Sequence, residues 1–577
     1  MKYLKKIRFF LLIFCFFLVT SSTINISSIN SNENNTARKN SSVNRVKLAA
    51  NTDGYPICQE GSVQGYPEIC SDENGGAIIV WADKRYYENF TGSPVWQKNE
   101  YDIFAQRIDS NGDINWTRNG VAIITAPESQ GGHKICSDGN GGAFIVWADA
   151  RPSTQYFTFF DIYAQRINSS GDVQWKTSGI AICNAIYSQK QIQICSDGNE
   201  GAFIVWSDER DSGNYDIYAQ RINSSGDVLW GLNGTAICTT SENQGLPQLC
   251  SDGNGGIIIT WGDGRGSGPY AQRINSTGDA QWVINGIDVI TYPYNQVSPR
   301  ICSDGDGGAI IHWDDQRADG EYDGIYAQRI NSTGDKNWTS NGVPIAAAKN
   351  WFELTSGMHQ MISDENGGAI MAWADTRDLV MYFNIYTQRI NSSGDVQWTI
   401  DGVAICTASY TQRDPQLCSD GNGGAIITWR DSRLGYPYTH VNIYAQSINS
   451  TGDVQWVSNG TVICKANGGQ GEPQIVSDGD GGAIITWPDY IHKAWNYYDT
   501  DIYAQKINSD GEIQWFYTRP YYNVENPDDD DDDDNTVHFG PLIDLGEIPG
   551  YDLILVIAMI GIISIILARK ISKQKQR

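Results

Sequence analysis

Residues 196–230 read SDGNEGAFIVWSDERDSGNYDIYAQRINSSGDVLW. Two apolar runs, AFIVW and IYAQRI, are each bounded by Gly, Asn, Asp and Ser, as strands between turns are. The stretch recurs. Its opening pattern S-D-x-[ND]-x-G starts at Ser71, Ser137, Ser196, Ser251, Ser303, Ser363, Ser419 and Ser477, at spacings of 52 to 66 residues. Each copy carries Trp-x-Asp ten residues on, from Trp81 and Asp83 to Trp487 and Asp489. A Gln in a YAQR-like run follows, then a closing Trp, from Trp116 to Trp515. Sixteen of the nineteen tryptophans occupy these two positions, so they belong to the architecture. Eight tandem all-β units of constant design predict an eight-bladed β-propeller of four-stranded antiparallel blades over residues 53–516.

In the copy from Pro247 the expected strands are PQLCS, IIITW, YAQRIN and AQW, with DGNGG and Asn275–Asp279 as turns. A segment G-x-A-I-C lies between units, as in Gly234–Cys238 and Gly402–Cys406. One copy is displaced: Gly54–Cys58 precedes the first unit, and none follows Trp515. The simplest account is ring closure, with the N-terminal segment completing the eighth blade and removing an open edge.

The flanks place the ring. Residues 1–22 carry Lys2, Lys5, Lys6 and Arg8 before the apolar Phe9–Val19, the form of a secretory signal peptide. Residues 23–52, rich in Asn and Ser, read as a flexible lead-in. Residues 517–549 hold seven consecutive aspartates, Asp528–Asp534, and read as an acidic stalk. Residues 550–568 form an apolar stretch about long enough to span, and the basic tail 569–577 is expected in the cytoplasm. The expectation is a type I single-pass protein of the cell membrane with a large extracellular domain. Pro549-Gly550-Tyr551 with the apolar stretch and basic tail also resembles the Pro-Gly-Phe type C-terminal sorting signals of archaeal surface proteins. That resemblance implies exchange of the helix for a lipid anchor. A net charge of −26 argues against a nucleic-acid partner.

Most repeated motifs read as scaffold. Trp-x-Asp-x-Arg recurs in seven units (Arg85, Arg151, Arg210, Arg265, Arg317, Arg377, Arg433), so structural Asp–Arg pairing is expected. S-D-x-[ND]-x-G-G resembles the calcium loops of FG-GAP propellers but lacks a closing carboxylate. A turn is the expected reading and no cofactor is expected, structural calcium being the alternative. N-S-[ST]-G-D resembles the Asp-box of sialidase-type propellers, with Gly226 to Trp230 one residue longer than that pattern. The same turns are glycosylation sequons at Asn168, Asn223, Asn275, Asn331, Asn391 and Asn449. Cys58/Cys70, Cys183/Cys195, Cys238/Cys250 and Cys406/Cys418 recur twelve residues apart. Disulfides and small buried hydrophobes both fit them. The six histidines are scattered, with no HExxH and no evident nucleophile triad.

Function is expected where the units diverge. The connection between second and third strands is short in units 3, 4 and 5 and aromatic in units 7, 8, 1 and 2. Closure makes those four consecutive. Tyr86, Tyr87, Trp96, Tyr156, Phe157, Phe159, Tyr436, Tyr438, Trp495, Tyr497 and Tyr498 are therefore the candidate ligand-binding residues. They suit a binding or adhesion module for an extracellular glycan or protein. The alternative is a polysaccharide-active enzyme, hydrolase or lyase-like, a reading that needs a carboxylate pair around the central pore. Unshared acids near these loops are Glu88, Glu100 and Asp499. Residues 54–515 resemble secreted and surface-anchored bacterial and archaeal repeat proteins with GGAIIVW-D-R and DIYAQRI repeats, mostly of unknown activity.

Overall fold

The second strand of the first unit, Ala77–Asp83, is buried at every position. A strand with no exposed face needs a neighbour on each side. The computed structural model supplies them as eight antiparallel sheets arranged as the blades of a propeller. It describes residues 53–85, 100–151, 159–211, 213–266, 268–291, 296–318, 322–346, 359–377, 382–434, 441–466, 468–490 and 500–517. The expected signal peptide, lead-in, spanning stretch and basic tail lie outside these residues, as does the expected stalk beyond residue 517.

Blade 1 pairs Gln64–Ser71, Ala77–Asp83, Asp102–Ile108 and Val121–Ile124 in that order. First strands of successive blades touch one another around the whole ring, Gln474–Ser477 of blade 8 against Gln64–Ser71 of blade 1 included. They are therefore innermost, about a central axis. Blade 8 takes its outer strand from the start of the chain: Tyr55–Cys58 pairs with Asp501–Ile507, Tyr55 opposite Ala504 and Pro56 opposite Tyr503. The expected closure is what the strands form.

One strand differs from expectation. In each of blades 1 to 7 the fourth strand is the G-x-A-I-C segment or its equivalent, such as Thr235–Cys238 in blade 3. The stretch before the closing Trp contributes only a single bridge, Ala280 to Ile274 in blade 4. The physical reason lies in Gln220 of the YAQR run, for which blade 3 serves as example. Its amide donates to the Gly231 carbonyl at 2.8 Å and its carbonyl accepts the Trp230 N–H at 2.9 Å. The side chain takes the bonds a continued ladder would have made, and frees the chain to turn outward.

Both tryptophans fill the wedges between blades. Trp206 is fully buried, and its indole N–H donates to Asp208 at 2.7 Å. The closing Trp reaches across to the next blade: Trp116 donates to the Ser169 carbonyl at 3.1 Å. Its ring lies against Gly171, where φ is +88° and an added Cβ would sit 2.7 Å from the indole. Trp515 makes the same contact with Gly112 of blade 1, so the ring of contacts also closes. An L-residue at positive φ costs about 1–2 kcal/mol before any clash. Gly171→Ala should therefore lower the unfolding midpoint clearly, by about 2 kcal/mol or more of stability. Gly65→Ala, at ordinary φ with open space around it, should leave it unchanged. Equal midpoints for the two variants in calorimetry would contradict the wedge.

Candidate functional site

Strand order puts two kinds of connection on each face. The turns between first and second strands, and between third and fourth, share one face; the remaining connections share the other, here called the loop face. The repeated motifs hold the first face and the blade edges. Asp72 Oδ1 accepts the N–H groups of Asn74 and Gly76 at 2.9 and 2.8 Å, and its Oδ2 pairs with Arg107 at 2.9 Å. This is turn chemistry, with both carboxylate oxygens occupied. The sequon asparagines act likewise: Asn223 Oδ1 accepts the Ser225 and Asp227 N–H groups at 3.0 and 2.9 Å. Asp109 fills the same role in blade 1.

The Trp-x-Asp-x-Arg motif is an interblade clamp. Arg210 Nη2 donates to Asp208 Oδ2 at 2.6 Å and to the Asn233 carbonyl at 2.8 Å. It also meets Cys183 Sγ of the preceding blade at 3.3 Å, while its guanidinium lies 3.7 Å above the Tyr218 ring. In blade 8, where Ile491 stands in the arginine's place in sequence, the buried Trp487 indole N–H has no acceptor among the described residues.

The disulfide reading is corrected by the same geometry. All eleven described cysteines are free. Cys183 packs between blades 2 and 3, whereas Cys195 packs between blades 3 and 4. Cys58 and Cys70, Cys238 and Cys250, and Cys406 and Cys418 are likewise split between different core clusters. Twelve residues of chain cross one blade from side to side, so equivalent spacing does not bring the sulfurs together. Burial pushes the Cys58, Cys183 and Cys406 thiols up to about 12, so they stay protonated and behave as small apolar groups.

A glutamine shared by seven of the eight units went unread in the sequence. It stands seven residues before the repeat serine, as in Gln64, Gln130, Gln189, Gln244 and Gln412. Gln130 is fully buried and donates to the Glu128 carbonyl at 2.7 Å, tying the incoming connection to the inner strand. Its fixed spacing was the available signal.

Of the candidate ligand-binding residues, only Phe159 falls within the described residues. It is half-buried, edge-on to Tyr187 at 5.9 Å. Tyr86, Tyr87, Trp96, Tyr156, Phe157, Tyr436, Tyr438, Trp495, Tyr497 and Tyr498 lie outside them, as do Glu88 and Asp499. Four tyrosines that the sequence reading passed over are exposed on the loop face: Tyr410 (37%), Tyr490 (45%), Tyr66 (72%) and Tyr187 (40%). Tyr410 is on the connection entering blade 7, Tyr490 ends the second strand of blade 8, Tyr66 is on blade 1, and Tyr187 is on the connection leaving blade 2. Tyr66 also meets Tyr101 edge-on at 6.3 Å.

Beneath this face the third strands of blades 1, 2 and 3 open on Asp102, Asp161 and Asp216, opposite Asp83, Asp149 and Asp208. Burial, with the Asp83 charge next, pushes Asp102 up to about 7. Burial and then Asp149 push Asp161 to about 6; burial and then Asp211 do the same for Asp216. Blades 6 and 7 carry the neutral isostere there, Asn384 and Asn442, opposite Asp375 and Asp431. A carboxyl raised in the fold contributes stability that is complete below its unfolded value near 4 and lost as pH rises through the folded value. The unfolding midpoint should thus fall between about pH 5 and about pH 7.5. The Asp102→Asn, Asp161→Asn, Asp216→Asn triple variant should show a shallower fall; an identical slope would contradict the assignment.

Titratable groups outside the repeat pattern gather at blades 5 and 6. His312 stands where the other blades have Val, Thr or Ala, and Asp314 where most have Ala, Gly or Ser. His312 Nε2 lies 2.5 Å from His359 Nδ1, and His359 Nε2 lies 3.1 Å from Asp314 Oδ1. All three are at most 3% exposed. Burial, then His359 and Arg300, hold His312 well below its usual value. Among the described residues no group of three or more His, Cys, Asp or Glu is arranged to hold a metal ion, and no helix is long and apolar enough to cross a membrane.

No family model matches the chain, and no curated protein matches it. Solved structures similar to it include an ulvan lyase of polysaccharide lyase family PL25, at 9% identity and a TM-score of 0.40, over 79% of this chain and 96% of that one. An α-L-arabinofuranosidase from Lactobacillus brevis is similar at 11% identity and 0.26, over 48% and 94%. A protein of unknown function from Dyadobacter fermentans is similar at 9% and 0.31, over 56% and 93%. Likeness at this level carries no argument about activity, and the fold rests on the strand pairing above.

Proposed function

We propose that the protein is a binding module held outside the cell by its C-terminal segment, and that it takes an extracellular glycan or protein on the loop face of blades 7, 8, 1 and 2. The observation that carries this reading is the placement of Tyr410, Tyr490, Tyr66 and Tyr187. These exposed tyrosines frame the same arc from which the aromatic connections leave. Amphipathic rings on a rigid frame supply large contact area at little entropic cost, which suits stacking on sugars and the centre of protein interfaces. The scaffold motifs are spent on holding blades together, which leaves the divergent loops as the recognition surface. Glycans on the sequon turns would sit on the opposite face and leave this one uncovered.

A glycan array of the secreted ring, followed by product analysis of every bound glycan, tests the reading. Trp96→Ala with Trp495→Ala should weaken binding by about tenfold or more, the scale of losing two stacking contacts. Unchanged binding by that variant would remove the arc from the account. Cleaved products would replace the binding module with the alternative, a polysaccharide-active enzyme.

A further inference from the structure

The innermost strands carry a belt of half-buried side chains, three residues before each repeat serine. Five are glutamine, among them Gln248 and Gln360, and three are charged: Glu68, Lys134 and Arg300. Being half-buried on strands that meet around an axis, they border the solvent there. Lys134 is compensated, since its ammonium pairs with Glu68 of the neighbouring blade. Arg300 is not. It donates to Gln360 Oε1 at 3.4 Å and to the Pro299 carbonyl at 3.2 Å, and among the described residues no carboxylate lies within ion-pairing distance of it. Every other half-buried arginine with a described side chain has an aspartate partner, as Arg107 has Asp72 and Arg210 has Asp208.

We propose that the axial wall at the junction of blades 5 and 6 binds an anionic saccharide, with the Arg300 guanidinium holding its carboxylate or sulfate. A desolvated guanidinium with unused donors is a bidentate site for either oxyanion. Burial lowers the Arg300 pKa, and Asp314 only partly offsets that, so an incoming anion supplies a charge the fold leaves out. Asp314 itself is buried and turned to His359, whose Nε2 lies 3.1 Å from its Oδ1. The flanking glutamine amides, Gln248 on blade 4 and Gln360 on blade 6, offer paired donors and acceptors, the complement of sugar hydroxyls. The overall charge of −26 acts at the axis only weakly, being screened beyond about 8 Å at physiological salt.

A second departure from the repeat falls at the same junction. From closing Trp to the next repeat serine the chain runs 21 residues everywhere except between Trp338 and Ser363, where it runs 25. In sequence the extra residues fall between Ala346 and His359, outside the described residues. Buried charge and imidazole replacing aliphatic packing weaken a blade junction. Blade 2 also buries one imidazole, His133, which is hydrogen-bonded to the Tyr66 carbonyl. Here two imidazoles, Asp314 and an arginine without a carboxylate partner among the described residues meet at one junction, and a cost so concentrated marks a site.

Calorimetric titration of the full chain distinguishes the ligands, using a hexameric galacturonate, a sulfated neutral hexasaccharide, the unsulfated hexasaccharide and a glutamate hexapeptide. One or both anionic saccharides should bind, and the neutral one and the peptide should not. Arg300→Gln should weaken binding at least about tenfold, with Arg300→Lys intermediate because charge survives and the fork is lost. The Trp96→Ala, Trp495→Ala variant should bind these probes as the parent does, so failure of the arc and failure of the axial site are separately visible. His312→Val restores the residue of blades 1 to 3 and serves as a folding check, with an unfolding midpoint at or above the parent's. Absence of binding by both anionic saccharides, equal binding of the neutral sugar or the peptide, or unchanged affinity in a folded Arg300→Gln protein would overturn the proposal.

Discussion

Four residues, Tyr55–Cys58, decide what this molecule is. Pairing with Asp501–Ile507 turns eight units into a ring and gives the last blade the outer strand that the other seven have. The loop-face arc depends on that pairing, because blades 8 and 1 are neighbours only in a closed ring. So does the contact of Trp515 with Gly112, some four hundred residues away in sequence. An open array would expose the fully buried strand Ala483–Asp489 of blade 8 and Ala77–Asp83 of blade 1, at a cost in apolar area no local contact offsets.

Within the ring, each recurring polar residue has a local duty. The first Asp of the unit caps a turn and pairs with the arginine of the third strand. The Asp after the buried Trp holds the indole N–H and a clamp arginine. The Gln of the third strand ends the ladder and steers the chain outward. The bonds of the aspartates are charge-assisted and those of the glutamine neutral, and all are at least part-buried, where a lost partner is costly. Repetition spreads them evenly, and that evenness makes the junction at His312, Asp314, His359 and Arg300 stand out.

Blade number, closure and the roles of Trp and Asp–Arg were legible because they recur at fixed spacing. The fourth strand was misread for a physical reason: AQW alternates like a strand, but the Gln272 side chain takes its ladder bonds. The cysteine pairs misled because sequence spacing does not say which side of a blade a residue faces. The axial belt was missed because its members differ in type, and position rather than identity is what they share. His312 and His359 could have been found as departures from the repeat, one in a run of Val, Thr and Ala, the other where proline is commonest.

Closure is tested most directly by a photo-crosslinker in place of Tyr55. Tyr55 lies edge-on to Trp515 at 6.3 Å and to Tyr517 at 5.9 Å, beside Asp501–Ile507. Irradiation of the folded protein should join residue 55 to a peptide within 501–517, read by mass spectrometry. Crosslinks confined to blade 1, between residues 64 and 124, would mean an open ring and would contradict the account.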